Sequence, residues 1–259
     1  MYVHGVGVWT PGYPNGRSWI EDAPGRTDPL PPCSLANPRL LRGTSMLTRL
    51  FVEAAAGAGT DAGWDLSTAA TVFGSAFGET QIALAQFEMM RSGDGLVSPH
   101  RFKNSVHNTG AGVFSIAAKN HGFTTALAGG WETTANVLME SYGLLASGHE
   151  HVIACIADEP LPANFSRDTK PFVGVGVAFA LARTPAGPPR YGALSELRVR
   201  ADSAESPEPV ALEDALARNP AAPALVLARA VAAATGRAER QAVPLCHRGD
   251  VRWTVQVTP

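Results

Sequence analysis

The stretch 123–135 most constrains what this chain can fold into. It reads FTTALAGGWETTA, a short apolar segment followed by two glycines and then by residues that can open a helix. This pattern predicts a strand, a tight turn and a helix, an arrangement that in many enzymes presents a Ser or Cys nucleophile. Here Gly130, Trp131 and Glu132 stand at the turn. The sequence therefore predicts the corner without its reactive atom, which favours a shape-giving subunit over an independent catalyst.

Composition excludes several classes of protein. With 259 residues, 45% of them apolar and 17% charged, the chain can bury a substantial core and is globular. A net charge of -2 gives no indication of the basic surface that binds nucleic acid or an anionic membrane. The apolar runs are far shorter than the roughly 20 residues that span a bilayer. We expect no nucleic-acid or membrane partner.

The cysteines and the N-terminus indicate a reduced compartment. Cys33, Cys155 and Cys246 are odd in number and widely spaced, so they predict no disulfide framework. The first nine residues lack the basic region of a signal peptide and are typical of a strand. We therefore expect a cytoplasmic protein. Cys155 lies within an apolar strand and is expected to be inert.

Alternating apolar segments predict an α/β fold with a mostly parallel, mixed sheet flanked by helices. Predicted strands cover 2–9, 69–73, 123–128, 151–157, 173–182, 191–200 and 251–257. Predicted helices cover 45–58, 79–90, 109–119, 132–147, 209–218 and 223–235. The alternation of Arg198 and Arg200 with apolar neighbours indicates that 191–200 is an edge strand.

The helix predicted over 132–147 carries one continuous apolar stripe at helical spacing. Its members are Ala135, Leu138, Met139, Tyr142 and Leu145. A stripe of this size must be covered by another element or by a partner. The Ala-rich helices at 209–218 and 223–235 are the only candidates for a cover from within the chain.

Six segments occur in an order that resembles the N-terminal half of the β-ketoacyl synthases. They are 6–12, 48–55, 72–75, 104–112, 122–131 and 174–178. The resemblance implies a thiolase-like fold, limited to the N-terminal half of a ketosynthase. It also implies a single domain over 1–259, in which 1–185 are recognisable and 186–259 form a divergent segment packed on them.

The departures from that family are as informative as the resemblance. Trp131 stands in the column of the catalytic Cys, and an indole cannot form a thioester. The residues after about 185 show no counterpart of the family's two histidines, its lysine or its Gly-rich Phe-Gly-Phe-Gly segment, which the condensation reaction uses. Ser98-Pro99 and the Ser-Val-His-Asn run 105–108 resemble half-length, chain-length-factor-like proteins of aryl-polyene and type II polyketide pathways.

This resemblance implies a non-catalytic subunit that shapes an acyl tunnel. We expect residues 105–131 to dock a complete ketosynthase as a heterodimer that works with an acyl carrier protein. A homodimer is possible for the isolated chain, and no cofactor or metal is expected. The residues implied for the tunnel or interface are His107, Asn108, Val113, Phe114, Ile116, Phe123, Leu127 and Trp131.

Alternative interpretations stay open at this stage. Trp131 can be a packed core aromatic, and His107 can be a helix-entry residue without chemistry. The chain can also be an acyl-thioester hydrolase or acyltransferase that uses His107 and Glu132, or a homodimeric module that binds an acyl group or carrier protein. His149 and His151 flank Glu150, but a solvated turn explains these three better than a metal site.

Overall fold

The structure is a computed structural model that describes residues 1–93, 98–162, 165, 170–185, 190–200, 212–246 and 252–259. The strands are β1 (Tyr2–Trp9), β2 (Ala70–Gly74), β3 (Thr124–Leu127), β4 (His151–Asp158), β5 (Val175–Ala182), β6 (Ala193–Arg200), β7 (Gln241–Pro244) and β8 (Arg252–Thr258). The helices are α1 (Gly16–Ile20), α2 (Met46–Ala62), α3 (Thr80–Ser92), α4 (Pro99–Lys103), α5 (Thr109–Ala118), α6 (Thr133–Ala146), α7 (Asp214–Ala217) and α8 (Ala222–Ala234).

Most predicted elements are confirmed to within a few residues, and the α/β class is confirmed with them. Helices α1 and α4 were not predicted, because each has only five residues. The helix predicted over 209–218 is helical only over Asp214–Ala217 in its described part. Residues 209–211 and 251, which also fell in predicted elements, lie outside the described residues.

The described strands form one mixed sheet in the order β3-β2-β4-β5-β1-β6-β8-β7. Strand β2 runs parallel to β3 and β4, whereas the other five described pairings are antiparallel. The prediction that most pairings are parallel was therefore wrong. Parallel strands need a crossover, usually a helix. Helices α3 to α5 lie between β2 and β3, and α6 lies between β3 and β4, the two strands that flank β2. The described residues between β4 and β5 contain no helix, so β5 returns antiparallel.

Strand β6 is not an edge strand, contrary to the prediction for 191–200. It pairs with β1 at Tyr2 and Ala193 and with β8 along its other side. The last strand of the chain thus covers the edge that the sequence pattern left open. Arg198 forms an ion pair with Glu196 on the exposed face, which accounts for the charged alternation.

Helix α2 is fixed at both ends and packs on the sheet at close range. The Ser45 hydroxyl accepts a hydrogen bond from the Thr48 N–H, and Gly63 ends the helix in the left-handed region with φ 68°. Gly7 of β1 permits the close packing, since a Cβ there would lie 2.0 Å from the Ala54 carbonyl oxygen. With α5, this helix covers one face of the sheet.

The other face of the sheet carries α6 and α8. Helix α8 has ten buried residues of thirteen and contacts β5, β1, β7 and β8 of the sheet and also α1. A helix that is apolar on nearly all sides is stable only where it is buried in this way.

The predicted stripe of α6 is split rather than continuous. Ala135, Leu138 and Leu145 are buried, and α6 packs on β2, β3 and β4. Met139 and Tyr142 remain 49% and 62% exposed. In the described part of the chain, the Ala-rich helices, which were the candidates for a cover from within the chain, do not cover this stripe. The sheet buries three of its five residues, and α8 packs mainly on other strands.

Candidate functional site

The predicted strand–turn–helix corner is present. After β3, residues Gly130–Glu132 form a 3-10 turn that leads directly into α6. Gly130 adopts a left-handed φ of 54°, a conformation that favours glycine. The Thr133 hydroxyl donates to the Gly130 carbonyl oxygen at 2.7 Å and accepts from the Gly129 N–H at 3.2 Å. One threonine thus holds both glycines of the turn.

Trp131 is partly buried at this corner, among aromatic rings. Its ring packs edge-on against Phe77, with ring centroids 6.3 Å apart. Phe77 is also 6.3 Å from the rings of Phe165 and Phe172. These four rings, which we call the aromatic cluster, lie around the corner. No signal in the sequence connected the other three rings with Trp131.

Glu132 is held by a residue from the end of the chain. Its Oε2 accepts a hydrogen bond of 3.0 Å from the indole Nε1 of Trp253 on β8. Its contact with Trp253 could not be predicted, because the two residues are 121 positions apart.

A buried aspartate fixes the loop that carries Phe77. The Asp158 carboxylate accepts hydrogen bonds from the Ser75 hydroxyl at 2.7 Å and from the backbone N–H groups of Ala76 and Phe77. Burial raises the pKa of Asp158 to about 7, although these three bonds favour the ionised form. Asp158 is therefore the residue that positions Phe77 next to Trp131.

His107 lies on the connection between α4 and α5 and packs against Gly78 of the loop that carries Phe77. A Cβ on Gly78 would be 2.9 Å from His107 Nδ1, so the imidazole packs directly against this glycine. The neighbouring Asn108 is exposed at the start of α5 and its side chain makes no capping hydrogen bond. His107 and Glu132 were considered together for hydrolase or acyltransferase chemistry. Their described contacts are with different residues.

The other residues predicted for the tunnel are divided between the core and the surface. Val113 and Phe114 are buried in the core on the α2–α5 face, where the Phe114 ring lies 5.5 Å from Phe73. Leu127 packs against the core on the α6–α8 face. Ile116 and Phe123 are 66% and 46% exposed. A role of these residues in a tunnel stays a prediction.

No group of three or more His, Cys, Asp or Glu side chains in the described part of the chain is placed to hold a metal ion. The His151 ring instead stacks on Trp64 with centroids 4.2 Å apart, and the His149 ring lies 5.8 Å from that of Phe123.

Two of the cysteines are buried. Burial raises the pKa of the Cys155 thiol, and it raises the pKa of the Cys33 thiol to about 12. Of the helices that the structure describes, none is long and apolar enough to cross a bilayer.

Comparison with known families identifies the chain. A family model described as "Beta-ketoacyl synthase, N-terminal domain" matches residues 18–242. The chain belongs to the β-ketoacyl synthase N-terminal domain family. A search of curated proteins gave no match.

Solved structures share the thiolase-like fold at low sequence identity. A chain from the ketosynthase ApeO in complex with its chain length factor ApeC from Xenorhabdus doucetiae matches with a TM-score of 0.67 at 20% identity, covering 96% of each chain. The ishigamide ketosynthase/chain length factor matches with a TM-score of 0.74 at 17% sequence identity, covering 99% of this chain and 98% of that one. A third match is the AntDE:AntF complex, in which a type II polyketide synthase acyl-carrier protein is bound to its ketosynthase. Its TM-score is 0.76 at 10% sequence identity, and it covers 99% of this chain and 98% of that one.

Proposed function

We propose that this chain is a non-catalytic, chain-length-factor-like partner of a β-ketoacyl carrier-protein synthase. It would shape the acyl tunnel during polyene, polyketide or fatty-acid-like biosynthesis. One observation carries the proposal: an indole stands at the corner where the resemblance to the family places a catalytic thiol. The corner is otherwise well formed, with its two glycines held by Thr133.

The chain's own thiols do not replace the missing one. Condensation needs a thiolate, and burial in apolar surroundings suppresses thiolate formation. Cys155 is fully buried within β4, and Cys33 is 1% exposed and donates its Sγ–H to the Arg49 carbonyl oxygen. Neither lies among the four rings around the corner. The third thiol, Cys246, is half-buried, and burial, followed by the charge of Glu132, raises its pKa. These placements support a subunit that leaves covalent chemistry to a partner.

The surface around β3 supports a partner of this kind. In the described chain β3 pairs only with β2 and ends the sheet. The elements next to β3 carry four apolar side chains that are 46–66% exposed: Ile116, Phe123, Met139 and Tyr142. An unpaired strand edge with apolar side chains beside it is typical of an interface. We infer that this β3 surface docks the ketosynthase, within and next to the predicted range 105–131.

The solved complexes agree with this choice of partner. Two of them join a ketosynthase to a chain length factor, and the third joins a ketosynthase to an acyl-carrier protein. By analogy, the present chain would form a heterodimer that receives its acyl chain from a carrier protein. In that complex the aromatic cluster would limit the depth of the cavity next to the corner.

Co-expression with a ketosynthase from a type II polyketide or aryl-polyene system tests the proposal. The pair should co-purify, and products formed from carrier-bound acyl and malonyl groups should change in length when this chain is added. If the ketosynthase never co-purifies and the product lengths stay the same, the proposal fails. A stable homodimer that does not exchange with the ketosynthase would favour a homodimeric binding module instead.

A further inference from the structure

Two buried glutamates meet at the start of α2, outside the corner. Glu79 immediately precedes α3 and Glu159 immediately follows β4, and each is only 4% exposed. The Thr48 hydroxyl donates to Glu79 Oε1 at 2.6 Å, and the Leu47 N–H donates to Glu159 Oε2 at 3.0 Å. The first turn of α2 therefore binds one oxygen of each carboxyl group.

The second oxygen of each group lacks a partner. Glu79 Oε2 and Glu159 Oε1 are both buried and make no hydrogen bond with the described residues. The two carboxyl groups bond to adjacent residues of α2, and the charge of Glu79 acts on Glu159. Two buried carboxylates that repel each other cannot both stay ionised without a large cost. A single proton lowers this cost, because a protonated carboxyl can donate to the neighbouring carboxylate.

We propose that Glu79 and Glu159 share one proton and form an acid–carboxylate pair that ties the start of α3 to the end of β4. The positive end of α2 already stabilises the one remaining negative charge, so no metal cation is needed. The pair also positions the loop that carries Phe77 and Gly78, the glycine against which His107 packs. This inference does not depend on the function proposed above.

The neighbouring charged groups bind other partners, so they do not neutralise the pair in place of the proton. On β4, the Asp158 carboxylate is bonded to Ser75 and to the loop backbone. On α2, the Arg49 guanidinium donates to the Leu41 carbonyl oxygen. On the α4–α5 connection, His107 packs against Gly78. On α3, the neutral amide of Gln81 donates to the Pro160 carbonyl oxygen.

The expected pH dependence follows from burial. Burial, and secondarily the charge of Glu79, raise the pKa of Glu159 to about 8, and burial also raises the pKa of Glu79. A carboxyl group with a raised pKa in the folded state favours folding most below its ordinary pKa. Its contribution is lost as the pH rises from about 4.5 through about 8.

Urea unfolding of Glu159→Gln and Glu79→Gln between pH 5 and pH 9 tests the shared proton. The stability of the wild type should fall with pH more steeply than that of either variant, by the equivalent of about one proton. Glu150→Gln, the same change at an exposed position, should follow the wild type. Parallel curves for all four proteins would overturn the proposal.

Carbon-13 NMR of the wild-type protein, labelled at glutamate carboxyl carbons, gives a test that needs no variant to fold. A glutamate signal that still titrates near pH 8 is expected, and selective labelling separates it from Asp158. If every glutamate signal has finished titrating below pH 7, no proton is shared and the proposal is wrong.

Discussion

The rings of Trp131 and Phe77 meet edge to face, with centroids 6.3 Å apart and planes at 89°. This contact joins the corner after β3 to the loop after β2. Edge-to-face pairs of this kind contribute roughly 0.5–1.5 kcal/mol beyond the apolar area that they bury. The indole therefore both fills the corner and fixes a neighbouring loop.

Replacing Trp131 by Ala should lengthen the products made with a ketosynthase partner, because removal of the indole opens space beside Phe77. Trp131→Phe should keep most of the original length distribution. We expect Trp131→Ala to cost roughly 1–3 kcal/mol of unfolding free energy, since the ring is only partly buried. Product lengths are measured by mass spectrometry, and unchanged lengths for Trp131→Ala would show that the indole sets no limit.

Gly7→Ala should destabilise the fold severely, by about 3 kcal/mol or more, because the new Cβ would lie 2.0 Å from the Ala54 carbonyl oxygen. The matched control is Gly143→Ala in α6, where a Cβ meets no atom within 4 Å. That change should stabilise by up to about 1 kcal/mol through helix propensity. Urea unfolding measures both, and equal midpoints would contradict the close packing of β1 on α2.

Asp158→Asn should remove a pH-dependent part of the stability. Because burial raises the pKa of Asp158 to about 7, its contribution is present below pH 4 and is lost as the pH rises to about 7. The stability difference between wild type and variant should therefore change by roughly 2–4 kcal/mol over this window and stay constant above it. Urea unfolding at a series of pH values measures this difference, and a constant value from pH 4 to pH 8 would refute the assignment.

Ile116→Glu should weaken binding to a ketosynthase by about tenfold or more, because it places a charge on the proposed β3 surface. The monomer fold should persist, since Ile116 is 66% exposed. Val199→Glu is the matched control, since Val199 is 57% exposed on β6, far from β3 in the strand order. Analytical ultracentrifugation of each variant with the partner measures binding. Equal weakening by both changes would argue against the β3 surface.

The sequence predicted local features well and long-range ones poorly. The corner and the strand sequences 2–9 and 151–157 have patterns that extend over only a few residues, and each was confirmed. Strand direction was not predictable in this way. Whether β5 runs parallel or antiparallel depends on the connection after β4, and the composition of the strand carries no information about it.

The residues around the candidate site could not be predicted either, because local patterns carry no information about long-range contacts. Phe77, Asp158 and Trp253 come from three different elements and meet near Trp131 and Glu132 only after folding. Their residue types are common in any core or loop. The exposure of Met139 and Tyr142 was likewise not apparent from helical spacing, because the stripe gave no indication of how much of α6 the sheet covers.

Intact-protein mass spectrometry during turnover tests the central claim most directly. This chain and its ketosynthase partner would be incubated with carrier-bound substrates and quenched before release of the product. The account predicts an acyl mass on the partner and none on this chain, since Trp131 stands where the resemblance to the family places the thiol. An acyl group covalently attached to this chain during turnover would contradict it.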